Sequence, residues 1–269
     1  MIKKRNVFIS ALLALFSPVT AFLYNGKVVF GGILVSVMYL LFYILLISGI
    51  AHNFYGFLIV GLYIIAFTLF IIIDNVVTAI KNKNYELKKY NRVSVYIIST
   101  ILFAFITGSA NVLINKYFFQ LYSIPAGSMA PAIVEGDSVA VDKSFYRKHK
   151  IKRGDLVVFL YPNDRSVTYV KRCVAVSGNN LVIDGKDIII NGKKIVENYP
   201  LMYNDEDSIF RDIYDYGIVP DNHIYVLGDN RDNSADSRHF GVVPVKDVIG
   251  KPLYIYNSKD RSRIGLELK

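Results

Sequence analysis

Two stretches of this chain, Val28 to Ile50 and Phe57 to Ile73, contain no charged residue. Runs of this length match the roughly 20 apolar residues an α-helix needs to cross a hydrocarbon core about 30 Å thick, so both read as membrane spans. The rest of the composition agrees. With 53% apolar residues and a mean hydropathy of +0.34, the 269 residues are too apolar for an ordinary soluble protein.

The formal charge of +9 would suit a nucleic-acid binder, but its distribution argues otherwise. Before residue 120 there are 10 Lys and Arg against 2 Asp and Glu; after it, 21 against 20. The basic excess therefore belongs to loops beside the membrane, where it sets topology, and no nucleic-acid partner is expected. A single cysteine, Cys173, excludes an intrachain disulfide and a cysteine-rich zinc site. Its expected role is packing. The polarity change near residue 120 divides the chain into a membrane domain, 1–120, and a polar domain, 121–269.

Within the membrane domain the apolar segments are 7–23, 28–50, 54–73 and 95–113. The loop "KNKNYELKKYNR" is strongly basic, which places it in the cytoplasm and sends the last segment outward. The polar domain is then extracytoplasmic. Counting back, the "KKR" at 3–5 stays inside only if the segment 7–23, short and interrupted by Pro18, does not cross. The expectation is three spans preceded by a re-entrant or interfacial helix. Four spans with an outer N-terminus, or a removable signal peptide, are the competing readings.

After residue 120, short β-branched and aromatic runs bounded by Gly, Asp, Asn and Pro replace the long apolar ones. They predict a mainly antiparallel all-β domain. The pairs Asp184-Gly185 and Asn191-Gly192 are hairpin turns, giving a β-ribbon insertion over about 178–223. Residues 201–218 have no clean period and read as an irregular acidic excursion.

Three features of this domain need a chemical reading: Ser128 in "IPAGSMAPAI", Lys171 in "SVTYVKRCVAV", and the run "GDNRDNSADSRHFG". Strand alternation puts Val167, Tyr169, Lys171, Cys173 and Ala175 on one face and Arg172 on the other. A lysine desolvated on an apolar face has a lowered pKa, and its neutral amine is a general base. None of the four histidines sits in a triad setting, so a Ser/Lys dyad is favoured over Ser/His/Asp.

The boxes "IPAGSMAPAI", "EGDSVAVDK", "RGDLVVF", "TYVKRCVAVSG" and "LGDNRDNSADSRHFG" resemble, in order and approximate spacing, those of bacterial type I signal peptidases. The resemblance implies a multi-span helical membrane anchor followed by the family's β catalytic domain. It implies that Ser128 is the nucleophile, Lys171 the general base, and Ser234 the hydroxyl that fixes the lysine amine. Asp236 and Arg238 look like the family's buried ion pair, and Gly228, Asp229, Asn230 and Asn233 shape the loop carrying Ser234. By the same analogy Ile124, Pro125, Met129, Ile133, Tyr169 and Val170 line a shallow pocket for small residues of the A-x-A type. No metal or organic cofactor is implied.

The implied activity is removal of signal peptides from exported preproteins at the outer face of the cytoplasmic (inner) membrane by a multi-pass enzyme. Implied partners are signal peptides, the lipid bilayer and the protein translocation machinery. Many relatives carry a serine two positions before the nucleophile, where this chain has Ala126. That departure supports a second reading, a non-enzymatic membrane protein on the same scaffold. A self-cleaving repressor with a similar dyad is disfavoured by the membrane domain.

Overall fold

A computed structural model of the chain describes residues 2–82, 84–203 and 214–269. It divides into two compact units, Met1–Ile114 and Asn115–Lys269.

The first unit is helical: α1 (Val7–Phe16), α2 (Pro18–Asn25), α3 (Val28–Ile47), α4 (Phe54–Lys81) and most of α5 (Val93–Tyr117). Two short strands, β1 (Ile2–Lys3) and β2 (Tyr85–Glu86), pair antiparallel. Asn6 starts α1 by accepting the Ile9 N–H at 3.1 Å. The helix stops at Ser17 because Pro18, which has no N–H to continue the ladder, opens α2 instead. The segment expected to be re-entrant or interfacial is thus two helices of 10 and 8 residues, each too short to cross a bilayer.

By length and composition α3, α4 and α5 are each able to cross a membrane. The sequence reading ended the third apolar segment at Ile73, before Asp74. The helix runs on to Lys81, with Asp74 neutralised by Lys27 at 2.8 Å. A polar cluster sits inside the unit: Asn25 donates to Ser10 Oγ at 2.7 Å and to Asn75 Oδ1 at 2.8 Å. Such pairing offsets the cost of burying amides.

The second unit contains β3 (Phe119–Ser123), β4 (Ser138–Asp142), β5 (Leu156–Tyr161), β6 (Asp164–Val176), β7 (Asn180–Asp184), β8 (Asp187–Ile190), β9 (Lys193–Ile195), β10 (Tyr214–Ile218), β11 (His223–Leu227), β12 (Val243–Pro244) and β13 (Val248–Asn257). The pairings are antiparallel. One sheet has seven strands in the order β12-β11-β6-β5-β13-β4-β3, the other four in the order β10-β7-β8-β9. Short helices α6 (Phe145–Lys148) and α7 (Ser237–Phe240) sit in the connections.

The ribbon expected over 178–223 is the four-stranded sheet, with φ of 58° and 75° at Gly185 and Gly192. The irregular excursion needs correcting at its end. Tyr214–Ile218 form β10, paired with β7 in spite of the acidic residues, because Tyr216 packs on the cluster beneath. Residues 204–213 of that stretch lie outside the described residues.

Apolar side chains fill both faces of the larger sheet. Met129, Ile133, Leu156, Val158 and Ile255 form one cluster, and Val157, Phe159, Cys173, Ile224 and Val226 another. Each such side chain contributes about 1.5–3 kcal/mol on burial. The sequence placed Ala175 on the Cys173 face. It packs instead with Val174, Tyr225 and Leu227, because a register shift between Tyr225 and Val226 leaves Val174 unpaired and turns the strand.

Candidate active site

The site forms where β6 changes neighbours. Among the described residues, the strand pairs only with β5 from Asp164 to Lys171, with Val157 opposite Lys171; from Arg172 onward it pairs with β11, Leu227 opposite Arg172. Lys171 therefore stands at the end of β11, where the loop 228–236 begins.

The turn that follows β3 brings Ser128 to the same point. Met129 and Ile133, 2% and 0% exposed, anchor it in the core, and the Ile133 N–H donates to the Met129 carbonyl at 2.9 Å. The Lys171 amine donates to Ser128 Oγ at 2.6 Å. Lys171 is 4% exposed. Burial brings its pKa down to about 8, against the opposing pull of the Asp236 and Asp229 charges. A largely dehydrated amine against a half-buried hydroxyl is able to exchange a proton at near-neutral pH.

Asn230 fixes the Ser128 turn from the other side. Its Nδ2 donates to the Gly127 carbonyl and its backbone N–H to the Ser128 carbonyl, each at 3.2 Å. In a trans peptide the C=O and N–H point opposite ways. Holding the Gly127 carbonyl toward Asn230 therefore aims the Ser128 N–H away from it. No acceptor meets that N–H among the described residues.

Gly228 lies where the loop passes closest to the turn. A Cβ there would overlap both the Ser234 hydroxyl and the Ser128 carbonyl. Its N–H donates to Asp236 Oδ2 at 3.0 Å, and Arg238 holds that carboxylate through Nε at 2.9 Å and Nη2 at 2.8 Å. Asn233 is exposed on the rim. Ser234 is brought to the site, but the bond to the lysine implied by the resemblance is not formed here. Its hydroxyl is buried with no partner among the described residues, while the amine bonds to Ser128.

Sequence reasoning missed the ion pairs behind the loop. Arg172, 1% exposed, grips Asp229 with Nε at 2.8 Å and Nη2 at 2.7 Å. It also donates to the carbonyls of Gly154 and Lys269, both at 2.8 Å, and stacks on Tyr199 at 4.0 Å. Arg231, itself buried, pairs in turn with Glu197. The available signal was an arginine facing away from the lysine within 169–176, where every other residue is apolar or aromatic. Burial pushes the Asp229 carboxyl above its usual value despite Arg172.

A cleft of about 360 Å³ opens over Ser128 and Lys171. The six pocket residues Ile124, Pro125, Met129, Ile133, Tyr169 and Val170 all line it, as do Ala126 and the exposed Asn233. Cys173 is buried behind it, and burial raises its thiol pKa strongly.

The family described as signal peptidase, peptidase S26, matches residues 94–257. Signal peptidase I of Aquifex aeolicus is 28% identical, the match covering 54% of this chain and 78% of that one. Signal peptidase I P of Bacillus subtilis subsp. natto is 32% identical, with 56% and 84% covered. The crystal structure of a signal peptidase I from Enterococcus faecalis, 27% identical, covers 38% of this chain and 97% of that one at a TM-score of 0.33.

Proposed function

This chain belongs to the signal peptidase family, peptidase S26, a family of serine endopeptidases that remove signal peptides, and we propose that it cuts after small residues with Ser128 as nucleophile and Lys171 as general base. The observation that carries the assignment is the 2.6 Å contact between the Lys171 amine and Ser128 Oγ.

In the proposed reaction neutral Lys171 accepts the Ser128 proton as Oγ bonds to the scissile carbonyl carbon. The Ser128 N–H faces the developing oxyanion. Collapse breaks the C–N bond, and the lysine ammonium protonates the leaving amine. The neutral lysine then takes a proton from water, whose oxygen displaces Ser128 from the acyl-enzyme, and the ammonium returns that proton to the departing Ser128 Oγ. Once Oγ is acylated it no longer accepts from Lys171, and Ser234 is the hydroxyl left to hold the amine. Asp236 and Arg238, with Gly228, Asp229, Asn230 and Asn233, act as support.

The substrate extends along residues 164–170 of β6, whose other edge is unpaired, and its small side chains enter the cleft lined by Ile124, Tyr169 and Val170. An apolar floor of limited volume suits Ala-x-Ala. We place the catalytic unit on the extracytoplasmic side of the cytoplasmic membrane, with α3, α4 and α5 crossing and signal peptides delivered there by the translocation machinery.

The test is Lys171→Ala in the full-length chain with a secretory precursor as substrate. Cleavage should be lost while the protein inserts and folds normally; turnover near wild-type would end the assignment. Mass-detected acylation of Ser128 by a carbonyl inhibitor would separate an active enzyme from the inactive scaffold suggested by Ala126.

A further inference from the structure

The basic charge of the second unit is segregated. Of the 21 Lys and Arg after residue 120, six fall between Lys143 and Arg153, a stretch with no acidic residue. What remains is fifteen basic against 20 acidic residues, so a positive ridge stands on an otherwise net negative unit. Arg147, Lys148, Lys150, Lys152 and Arg153 are exposed, and none forms an ion pair among the described residues. Lys143 donates to Gln120 at 2.8 Å, and burial with the like charge of Arg147 holds its amine below the ordinary lysine value.

Two clefts, of about 560 and 540 Å³, open on this ridge and share Tyr146, Arg147 and Val245. Lys116, Lys143, Arg147 and Lys246 converge on the first, where the carboxylate of Asp247 is already taken by Arg165 at 2.6 Å. Arg147 and Lys148 line the second beside Ser177 and Asn222, which offer hydrogen bonds.

The ridge is tied to the end of α5. Arg147 Nη2 donates to the Tyr117 carbonyl at 2.7 Å, its guanidinium lies 5.5 Å from the Tyr117 ring, and the Lys143 N–H donates to the Phe118 carbonyl at 2.8 Å. Tyr117 is the last residue of a helix apolar enough to cross a membrane. A helix that crosses the bilayer and ends at Tyr117 would bring cations tied to that residue to the depth of the lipid phosphates.

We propose that Lys116, Lys143, Arg147 and Lys246, with the exposed ridge 148–153, form a docking surface for the headgroups of anionic phospholipids. Arginine forks and lysine ammonium groups suit phosphodiester oxygens. Attraction to an anionic leaflet acts within a Debye length, about 8–10 Å at moderate salt, so it holds the catalytic unit on the surface only from such a position. An acidic protein segment would satisfy the charge but not the placement at the helix exit.

The experiment compares hydrogen exchange of the full-length protein in phosphatidylcholine nanodiscs with that in discs also containing phosphatidylglycerol. Exchange over residues 143–153 and 245–249 is expected to slow about threefold or more with phosphatidylglycerol, and the effect to fade as salt is raised. The triple variant K143Q/R147Q/K246Q should lose the protection, and the charge-conserving K143R/R147K/K246R should keep it. Cleavage of a short soluble peptide should be unchanged in both, which verifies the fold independently of lipid. Equal exchange in the two discs, or protection retained by the neutral triple, would overturn the proposal. So would protection by an added acidic peptide but not by phosphatidylglycerol.

Discussion

The Asp229 carboxylate accepts from Nη2 and Nε of the Arg172 guanidinium, at 2.7 and 2.8 Å, one residue past Lys171 on the strand and one past Gly228 on the loop. The pair thereby joins the element carrying the base to the loop carrying Ser234. Removing one partner of a buried pair strands the other charge and costs about 3–5 kcal/mol. Asp229→Asn should lower stability by that order and reduce cleavage with it. Replacing both residues by apolar ones, R172M with D229L, should cost less than the single change. Thermal unfolding of the full-length protein in detergent measures both, and a double variant no better than Asp229→Asn would refute the account.

A second prediction concerns pH. Lys171 has a folded pKa of about 8, set by burial and partly countered by Asp236 and Asp229. Only the neutral amine is a base, so kcat/KM should rise about tenfold per unit up to pH ~8 and then level off. The stability sign follows from proton counts: between about 8 and the ordinary lysine value of 10.5 the unfolded chain binds more protons, so stability increases with pH across that window. Below it both states are protonated and Lys171 adds no pH dependence. A pH–rate profile flat from 6 to 9 would rule out the depressed amine, and Lys171→Met should flatten the stability slope.

Much of this was legible in the sequence because period and charge report directly on burial. Charge-free runs marked α3 and most of α4, and the Asp-Gly and Asn-Gly pairs marked the ribbon turns. What stayed hidden depended on partners distant in the chain. Asp74 looked like the end of a span because Lys27, 2.8 Å away in the fold, is 47 residues distant. Arg172 was placed on the face opposite Lys171, but its role stayed hidden because Asp229, Tyr199 and the Lys269 carbonyl meet it only after folding. The bulge at Val174 defeated strict alternation, so Ala175 was placed on the wrong face while Lys171 and Cys173 were not affected.

Gly228 supplies a steric prediction. An alanine Cβ would collide with the Ser234 hydroxyl and the Ser128 carbonyl. The hydroxyl can rotate away, but the carbonyl belongs to the nucleophile's own backbone. Gly228→Ala should lower kcat/KM by about 10²-fold through misplacement of Ser128. Adding Ser234→Ala should recover only a minor part. Single-turnover acylation would show this, and full rescue by the double variant would mean that the hydroxyl contact alone had set the spacing.

The last prediction joins Asn230 to Ala126. The Asn230 side chain at 3.2 Å and the Ala130 N–H at 3.1 Å together hold the Gly127 carbonyl, and through the planar peptide they set the direction of the Ser128 N–H. That N–H is the proposed oxyanion donor, since Ala126 offers no hydroxyl. Losing an oxyanion donor costs about 10²- to 10³-fold in kcat, and a misdirected one should cost less. Asn230→Ala is therefore expected to lower kcat about tenfold with little change in KM, because the cleft that binds substrate is lined by other side chains. Ala126→Ser should raise kcat several-fold in the wild-type background and by a larger factor beside Asn230→Ala, where the backbone donor is weakened. Equal factors in the two backgrounds would show that the hydroxyl and the Ser128 N–H do not serve the same oxygen.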